Sequence, residues 1–201
     1  AFYDRLKTFL RDHVRPGEID AAGEYPPAVV DGLKRLGAFG MKIPKQYGGL
    51  GFNQLEYARA LEIGGRYDAN IVALLSAHQS MGVPQPLKLF GTEEQKKKFF
   101  PRRAKGAVSA FALTEPNVGS DPAAMETTAV LSPDGQHWVL NGEKLWCTNG
   151  TIADLLVVMA RTPSRMVNGK EKKQITAFIV EARAPGVEVT HRCHFMGLKA
   201  I

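Results

Sequence analysis

The sequence predicts a multi-domain α and β protein in which an all-helical region precedes a region of strands. Up to about residue 106, apolar residues recur at the spacing of amphipathic helices. From residue 107 onward, short runs rich in branched side chains are separated by turns that contain proline or glycine. Because helices and strands come in blocks and do not alternate, we expect segregated domains, one helical over residues 1–106 and one of strands over residues 107–201.

The composition is that of an ordinary globular protein. The 201 residues carry a formal net charge of +6, and 44% of them are hydrophobic, which excludes disordered and fibrous classes. Two cysteines exclude a disulfide-stapled scaffold and are typical of a reducing compartment. The mild basic excess favours an anionic ligand and does not by itself indicate nucleic acid. Since the chain starts without Met and stops within what reads as unfinished structure, we expect a piece of a longer protein.

Prolines, glycines and caps define the predicted helices. The first helix is expected to end at Pro16-Gly17, and Pro84 and Pro86 are expected to interrupt helical structure. The sequence Thr92-Glu93-Glu94-Gln95 resembles a capping box, which would start a short basic helix closed by Pro101. The predicted helical segments are Leu6–Val14, Pro27–Leu36, Asn53–Arg66, Ala69–Met81 and Thr92–Pro101.

Branched residues and turn signals define the predicted strands. The polar segment Thr162–Lys173 is expected to be a loop, and the Asn-Gly pairs at 141–142 and 149–150 predict a hairpin around one strand. The predicted strands are Ala107–Leu113, Thr127–Leu131, His137–Leu140, Leu145–Thr148, Leu155–Ala160, Ile175–Val180 and Val187–Thr190.

The first candidate for ligand chemistry is the segment Phe111–Asp121, where a strand runs into a loop with Pro and Gly. Thr114 and Ser120 can donate side-chain hydrogen bonds, and Gly119 lets the backbone approach a ligand closely. Exposed backbone N–H groups in such a loop can bind phosphate oxygens. An ordinary β-turn with a capping Ser-Asp pair is the alternative.

The second candidate is the segment Asn141–Gly150. In a strand, Trp146 and Thr148 would point to the same face, so that an indole would lie beside a hydroxyl. This pair suits a flat heteroaromatic ligand, because one group stacks and the other hydrogen-bonds. A core tryptophan with a satisfied threonine explains the same residues equally well.

Other clusters favour structural explanations. The basic stretch from residue 96 to 105 is typical of a solvated helix face, and binding of an anion or a partner is the less favoured reading. His191 and His194 have no Cys-x-x-Cys partner, so a metal site is disfavoured. Cys147 and His78 lack the context of a catalytic triad and are expected to be buried.

Three motifs in order resemble the acyl-CoA dehydrogenase flavoenzyme family, over nearly the whole chain. They are IPKQYGGLG at 43–51, AFALTEPNVGSD at 110–121 and LNGEKLWCTNG at 140–150. The segments AHQSMG at 77–82, LFGT at 89–92 and ITAFIVE at 175–181 most resemble the long- and very-long-chain branch. The resemblance implies helical N-terminal, mainly antiparallel barrel-like middle and C-terminal bundle domains. The C-terminal helical bundle would lie beyond Ile201.

The resemblance also implies FAD as the cofactor and assigns roles by position. Phe111, Leu113 and Thr114 would line the flavin ring, and Gly119 and Ser120 would meet the pyrophosphate, with Ser120 also bordering the substrate. Trp146 would cover the ring, Thr148 would hydrogen-bond near its reactive nitrogen, and Cys147 would replace a commoner aliphatic residue in the same site. Lys172 and Lys173 align with a loop near the phosphates of coenzyme A, although a solvated loop explains them as well.

The implied activity is α,β-dehydrogenation of a medium- to very-long-chain fatty acyl-CoA in β-oxidation, in a bacterial cytoplasm or the mitochondrial matrix. Electron-transfer flavoprotein would accept the electrons, and the full-length protein would be a homodimer or homotetramer. The family's catalytic base is a Glu on the bundle, so no base is assigned and this piece alone is expected to be inactive. The alternatives are an acyl-CoA oxidase or nitroalkane-type oxidase of the same fold, or a non-catalytic binding module.

Overall fold

The computed structural model describes residues 1–201, in which seven α-helices precede five β-strands. A π-helical turn, Ala77–Met81, continues the fifth helix, and short 3-10 turns lie at Ala38–Gly40, Lys45–Tyr47 and Pro122–Ala124. The predicted order of helices and then strands is therefore confirmed. The helices are α1 Phe2–His13, α2 Pro16–Ala22, α3 Pro27–Leu36, α4 Gln54–Gly65, α5 Ala69–Ser76, α6 Pro84–Phe90 and α7 Glu93–Ala104.

The sheet is built around its longest strand, β4. β5 pairs antiparallel with β4 along one edge, while β1 and then β2 pair parallel with successive parts of the other edge. β3 pairs antiparallel with β2 on the outside. The longest pairing is antiparallel, as predicted, and the two parallel pairings are short. The strands are β1 Ser109–Ala112, β2 Thr128–Leu131, β3 Trp138–Asn141, β4 Leu155–Val167 and β5 Lys170–Glu181.

Two apolar clusters hold the chain together. The larger contains 18 buried residues, almost all from the helical region of residues 1–106, and Leu33 and Leu74 are fully buried in it. The smaller joins α6 and α7 to the sheet, because Leu87 and Phe100 pack with Leu155 and Val157 of β4. Burial of this second cluster places the start of the sheet directly against the helical region.

α1 ends before Pro16 and helical structure is interrupted between Met81 and Pro84, as predicted, but three prolines themselves lie within helices. Pro16 and Pro84 occupy the first turn of α2 and α6, where the missing N–H costs nothing, so they begin helices. Pro101 lies inside α7, which continues to Ala104. Burial of Phe100 and Arg103 on either side supports the helix through the proline.

The strand predictions fail at three places. Leu145–Thr148 is not a strand, because Trp146 has a φ of 56° and Asn149 a φ of 68°, which turn the chain. Thr162–Lys173 is not a loop, since most of it extends β4 and begins β5 around a two-residue turn at Asn168-Gly169. Val187–Thr190 forms no strand. None of the helices combines the length and hydrophobicity that crossing a bilayer requires.

Candidate cofactor site

The structure brings the two candidate loops side by side. The first loop, Leu113–Ser120, follows β1, and the second, Gly142–Gly150, follows β3. The backbone N–H of Leu145 donates to the carbonyl oxygen of Thr114 at 2.7 Å. Two segments that lie about thirty residues apart in sequence therefore share one surface.

A buried ion pair locks the loops together. The Nζ of Lys144 lies 2.7 Å from Oε1 of Glu115 and also donates to the carbonyl oxygen of Leu113 at 3.1 Å. The Lys144 and Glu115 side chains are 11% and 2% exposed. The carboxylate further accepts the backbone N–H groups of Glu126 at 2.5 Å and Thr127 at 3.0 Å. Both oxygens of Glu115 are thus occupied by donors from within the chain.

The surroundings of Glu115 keep its carboxylate ionised. Burial alone would raise its pKa, but hydrogen bonds from Lys144 and from Glu126 and Thr127, which immediately precede β2, outweigh this and lower the pKa to about 2. A group with that pKa and no free oxygen is unsuited to accept a proton from a substrate at neutral pH. Glu115 is a structural element of the first loop.

Three hydroxyl groups on the loops remain available. The side chains of Thr114, Ser120 and Thr148 form no hydrogen bond within residues 1–201, and all three are exposed or half-buried. Phe111 and Leu113, which the sequence places beside them, are also half-buried. The surface therefore combines apolar edges with free hydroxyl donors, which is the donor set that a flavin ring and its pyrophosphate need.

Gly119 gives this surface an open backbone edge. A Cβ built on Gly119 would meet no atom within 4 Å, so its backbone is free to approach a ligand. Just before it, the backbone groups of Glu115 and Val118 bond to one another in both directions and close the turn. These features suit the close approach of a phosphate group and fit the pyrophosphate of FAD.

Trp146 projects from the second loop. Its side chain is 58% exposed, and its ring lies 5.7 Å from that of Phe195, at an interplanar angle of 41°. We expected Trp146 and Thr148 to lie on the same face of a strand. This prediction is wrong, because the backbone of Trp146 is left-handed. The tryptophan is available for stacking because of a turn, which sequence periodicity does not reveal.

Cys147 is half-buried and not fully buried as expected. Its Sγ lies 3.5 Å from the carbonyl oxygen of Phe111, and burial raises the pKa of the thiol to about 11. The thiol therefore remains protonated at neutral pH and holds the second loop against β1.

The remaining predicted site residues, Lys172 and Lys173, lie in strand β5, where the sequence predicts a loop. Both are exposed, and neither forms a hydrogen bond or an ion pair with the two candidate loops. Lys172 pairs across the strands with Arg165, so this part of the hairpin is strongly basic. The structure does not bring these lysines against the candidate cofactor surface.

His78 is buried at the junction of helices and sheet. Its Nδ1 accepts the backbone N–H of Ser109 at 3.0 Å, so its Nε2 carries the hydrogen and donates to the carbonyl oxygen of Phe39 at 3.0 Å. Burial, together with the charge of Arg103, lowers the pKa of His78 to about 3. The predicted packing role of His78 is confirmed.

Comparison with protein families assigns both regions of the chain. Residues 1–107 match the model described as "Acyl-CoA dehydrogenase, N-terminal domain", and residues 110–201 match "Acyl-CoA dehydrogenase, middle domain".

Individual relatives support the same family assignment. The chain is 53% identical over 201 residues to a probable acyl-CoA dehydrogenase, FadE10, of Mycobacterium tuberculosis, and 44% identical over 197 residues to the mitochondrial very long-chain specific acyl-CoA dehydrogenase of Homo sapiens. These alignments cover 100% and 97% of this chain, which spans about 30% of the length of each relative. The crystal structure of an acyl-CoA dehydrogenase complexed with FAD from Bacillus anthracis superimposes with a TM-score of 0.83 and 34% identity, covering 98% of this chain and 33% of that one.

Proposed function

This chain belongs to the acyl-CoA dehydrogenase family, and we propose that it forms the helical and middle portions of an FAD-dependent enzyme that removes hydrogen from the α and β carbons of a fatty acyl-CoA. The observation that carries the proposal is the locked pair of loops. The ion pair between Lys144 and Glu115 fixes the loops to one another, while the hydroxyl groups of Thr114, Ser120 and Thr148 stay free for a ligand. Such a preorganised, half-apolar surface supports cofactor binding.

The residues that would hold FAD divide between the two loops. The first loop would supply the ring edge and the phosphate contacts, and the second would supply the stacking side chain and a hydroxyl near the reactive nitrogen. FAD, when bound, supplies the hydride acceptor. The cofactor-binding residues on this proposal are Phe111, Leu113, Thr114, Gly119, Ser120, Trp146, Cys147 and Thr148.

The reaction also needs a base to remove a proton from the α carbon, and hydrogen bonds to the thioester carbonyl to make that proton acidic. No residue of this chain is assigned as the base, because Glu115, the carboxylate between the loops, is ion-paired and has a pKa of about 2. The part of these 201 residues in catalysis is to bind and orient the reactants. We therefore expect the 201-residue chain alone to be inactive.

The proposed substrates are medium- to very-long-chain acyl-CoA thioesters of fatty-acid β-oxidation. The motif at 77–82 and the similarity to a very long-chain specific relative support this range. Helix α5 and its π turn would line the acyl pocket. Lys172 and Lys173 stay candidates for the phosphates of coenzyme A only if another segment or subunit brings substrate to the hairpin.

The proposed partners and location follow the family. Electron-transfer flavoprotein would accept the electrons, and the full-length protein would form a homodimer or homotetramer. Relatives named for a mycobacterium and for mitochondria support either a bacterial cytoplasm or the mitochondrial matrix.

The test uses the full-length protein loaded with FAD. Product formation is measured with a series of short-, medium-, long- and very-long-chain acyl-CoA thioesters, with either electron-transfer flavoprotein or oxygen as acceptor. We expect α,β-unsaturated product, fastest with the longer chains, and rapid reoxidation only by the flavoprotein. Rapid reoxidation by oxygen would instead indicate an oxidase of the same fold, and failure to bind FAD would indicate a non-catalytic module.

A further inference from the structure

The turn that carries Trp146 and Thr148 ends at a fully buried asparagine. Asn149 is 0% exposed and adopts the left-handed backbone, with a φ of 68°. Its Nδ2 donates to the carbonyl oxygen of Leu74 at 3.0 Å, in the last turn of helix α5. No other side-chain hydrogen bond links the second loop to the helical region. Asn149 is therefore the polar anchor of that loop on the helices.

The first loop is anchored on the same helical segment. His78 lies four residues after Leu74, so the two positions stack on one face of the segment. The Nδ1 of His78 accepts the backbone N–H of Ser109, the first residue of the strand that leads into the first loop. The two candidate cofactor loops are therefore attached by hydrogen bonds to adjacent turns of one helical segment.

This segment is itself held rigidly. The π turn lets Gly82 donate to the carbonyl oxygen of Ala77, five residues back, and π turns are found frequently at functional sites. Gln79 donates to the carbonyl oxygen of Ala38 at 2.8 Å, and Ser80 lies 2.8 Å from the hydroxyl oxygen of Tyr57. Because these hydrogen bonds fix the segment to its neighbours, a group that is hydrogen-bonded to the segment is also held in a fixed position.

We propose that Asn149 is a positioning residue that fixes the Trp146–Thr148 turn against helix α5. The distance between the cofactor loop and the proposed wall of the acyl pocket is thereby held constant. The side-chain amide serves this purpose because it donates to Leu74 while asparagine tolerates the left-handed backbone. This inference rests on the proposed function for the identity of the ligand. The hydrogen-bond geometry that supports it is independent of any ligand.

The test compares two variants of the FAD-loaded full-length protein. Asn149→Gly keeps the left-handed backbone and removes the amide, whereas Asn149→Asp keeps the shape but places an acceptor against the carbonyl of Leu74. Asn168→Gly is the matched control, because Asn168 has the same backbone conformation, with a φ of 51°, in an exposed hairpin turn.

We expect the two Asn149 variants to bind FAD about three- to tenfold more weakly, the range of one lost hydrogen bond, and to shift the flavin absorbance spectrum. Flavin reduction by acyl-CoA should slow while the control matches the wild type. If Asn149→Gly matches the wild type in the spectrum, in FAD affinity and in the rate of reduction, the backbone alone positions the turn and the inference is wrong.

A measurement on the wild-type full-length protein needs no variant to fold. Hydrogen exchange under increasing denaturant should show residues 147–150 and 69–82 opening as one cooperative unit. Independent, faster exchange of 147–150 would overturn the anchor. Since exchange can be measured on the protein without FAD, it separates failure of this inference from failure of the proposed function, which appears as a wild-type protein that binds no FAD.

Discussion

The Nζ of Lys144 lies 2.7 Å from Oε1 of Glu115, and this contact joins two loops whose charged residues are 29 positions apart in sequence. The pair is nearly excluded from solvent, yet it is not isolated, because the carboxylate also accepts two backbone N–H groups and the ammonium donates to the carbonyl oxygen of Leu113. Full pairing is what makes a buried ion pair tolerable. The spacing of the proposed cofactor surface therefore depends on it.

Replacing Lys144 with Met should destabilise the protein by about 3 kcal/mol, because a buried carboxylate would be left without its counter-charge. The variant Glu115→Gln should also destabilise, since its amide would face the N–H donors of Glu126 and Thr127. The double variant should recover part of the loss. Urea denaturation of the full-length protein measures these differences.

The control for that experiment is Glu181→Gln. Arg102 and Glu181 also form a close ion pair, but both side chains are over 40% exposed. An exposed pair contributes less than about 1 kcal/mol. If Lys144→Met and Glu181→Gln lower the free energy of unfolding equally, the ion pair between the loops contributes no more than an exposed pair.

Removing the indole in Trp146→Ala should change flavin fluorescence with little effect on stability. The side chain is 58% exposed and its ring contacts that of Phe195, so few buried contacts are lost. Fluorescence and absorbance of the FAD-loaded full-length protein test this. Spectra identical to the wild type would place the indole away from the flavin.

Acid should weaken the fold through His78. Its pKa in the folded protein, about 3, is below the ordinary 6.5, so the unfolded state takes up a proton first as the pH falls. The contribution of His78 to the free energy of unfolding is therefore fully present above pH 6.5. It is lost as the pH falls toward 3, at up to about 1.4 kcal/mol per pH unit. Urea denaturation between pH 6.5 and 4.5 measures this slope.

The variant His78→Gln should flatten that slope, because glutamine does not titrate. The carboxylate of Glu115, whose pKa is lowered from 4.5, is present in both proteins, so its contribution to the slope cancels from the comparison. An equally steep pH dependence in the variant would assign the effect to another group.

Local signals in the sequence were sufficient for most of the helices. The capping box of Thr92 and Gln95 forms as predicted, and the side chains of Leu74 and His78 lie on one buried face. These features depend on residues close together in the chain, which explains their predictability. That Pro16 and Pro84 also begin new helices cannot be predicted locally, because proline is as compatible with the first turn of a helix as with a break.

The second loop could not be predicted from local pattern. Two Asn-Gly pairs around Leu145–Thr148 are typical of a hairpin, yet Trp146 and Asn149 take left-handed conformations. Tertiary contacts explain this outcome, since Lys144 is drawn onto Glu115 and Asn149 onto Leu74. The motif identified the right residues as a candidate site, but their geometry depends on partners elsewhere in the sequence.

The long hairpin of β4 and β5 is unpredictable from local pattern for a different reason. Residues 162–173 are mostly polar and almost all exposed, so they lack the alternation that marks a half-buried strand. The Asn168-Gly169 pair, with positive φ at both residues, was the available signal for a two-residue turn. Without a buried face, that signal was outweighed by composition.

The most direct test of the proposed function is anaerobic reduction of the flavin in the full-length protein. Adding a long-chain acyl-CoA to the FAD-loaded wild type should bleach the flavin absorbance, and Thr148→Val should bleach about tenfold more slowly while unfolding at the same urea concentration. The control is a parallel experiment in which the corresponding α,β-unsaturated product is added in place of the saturated acyl-CoA. A folded protein that holds no FAD after reconstitution, or a bound flavin that no acyl-CoA reduces, would contradict the account.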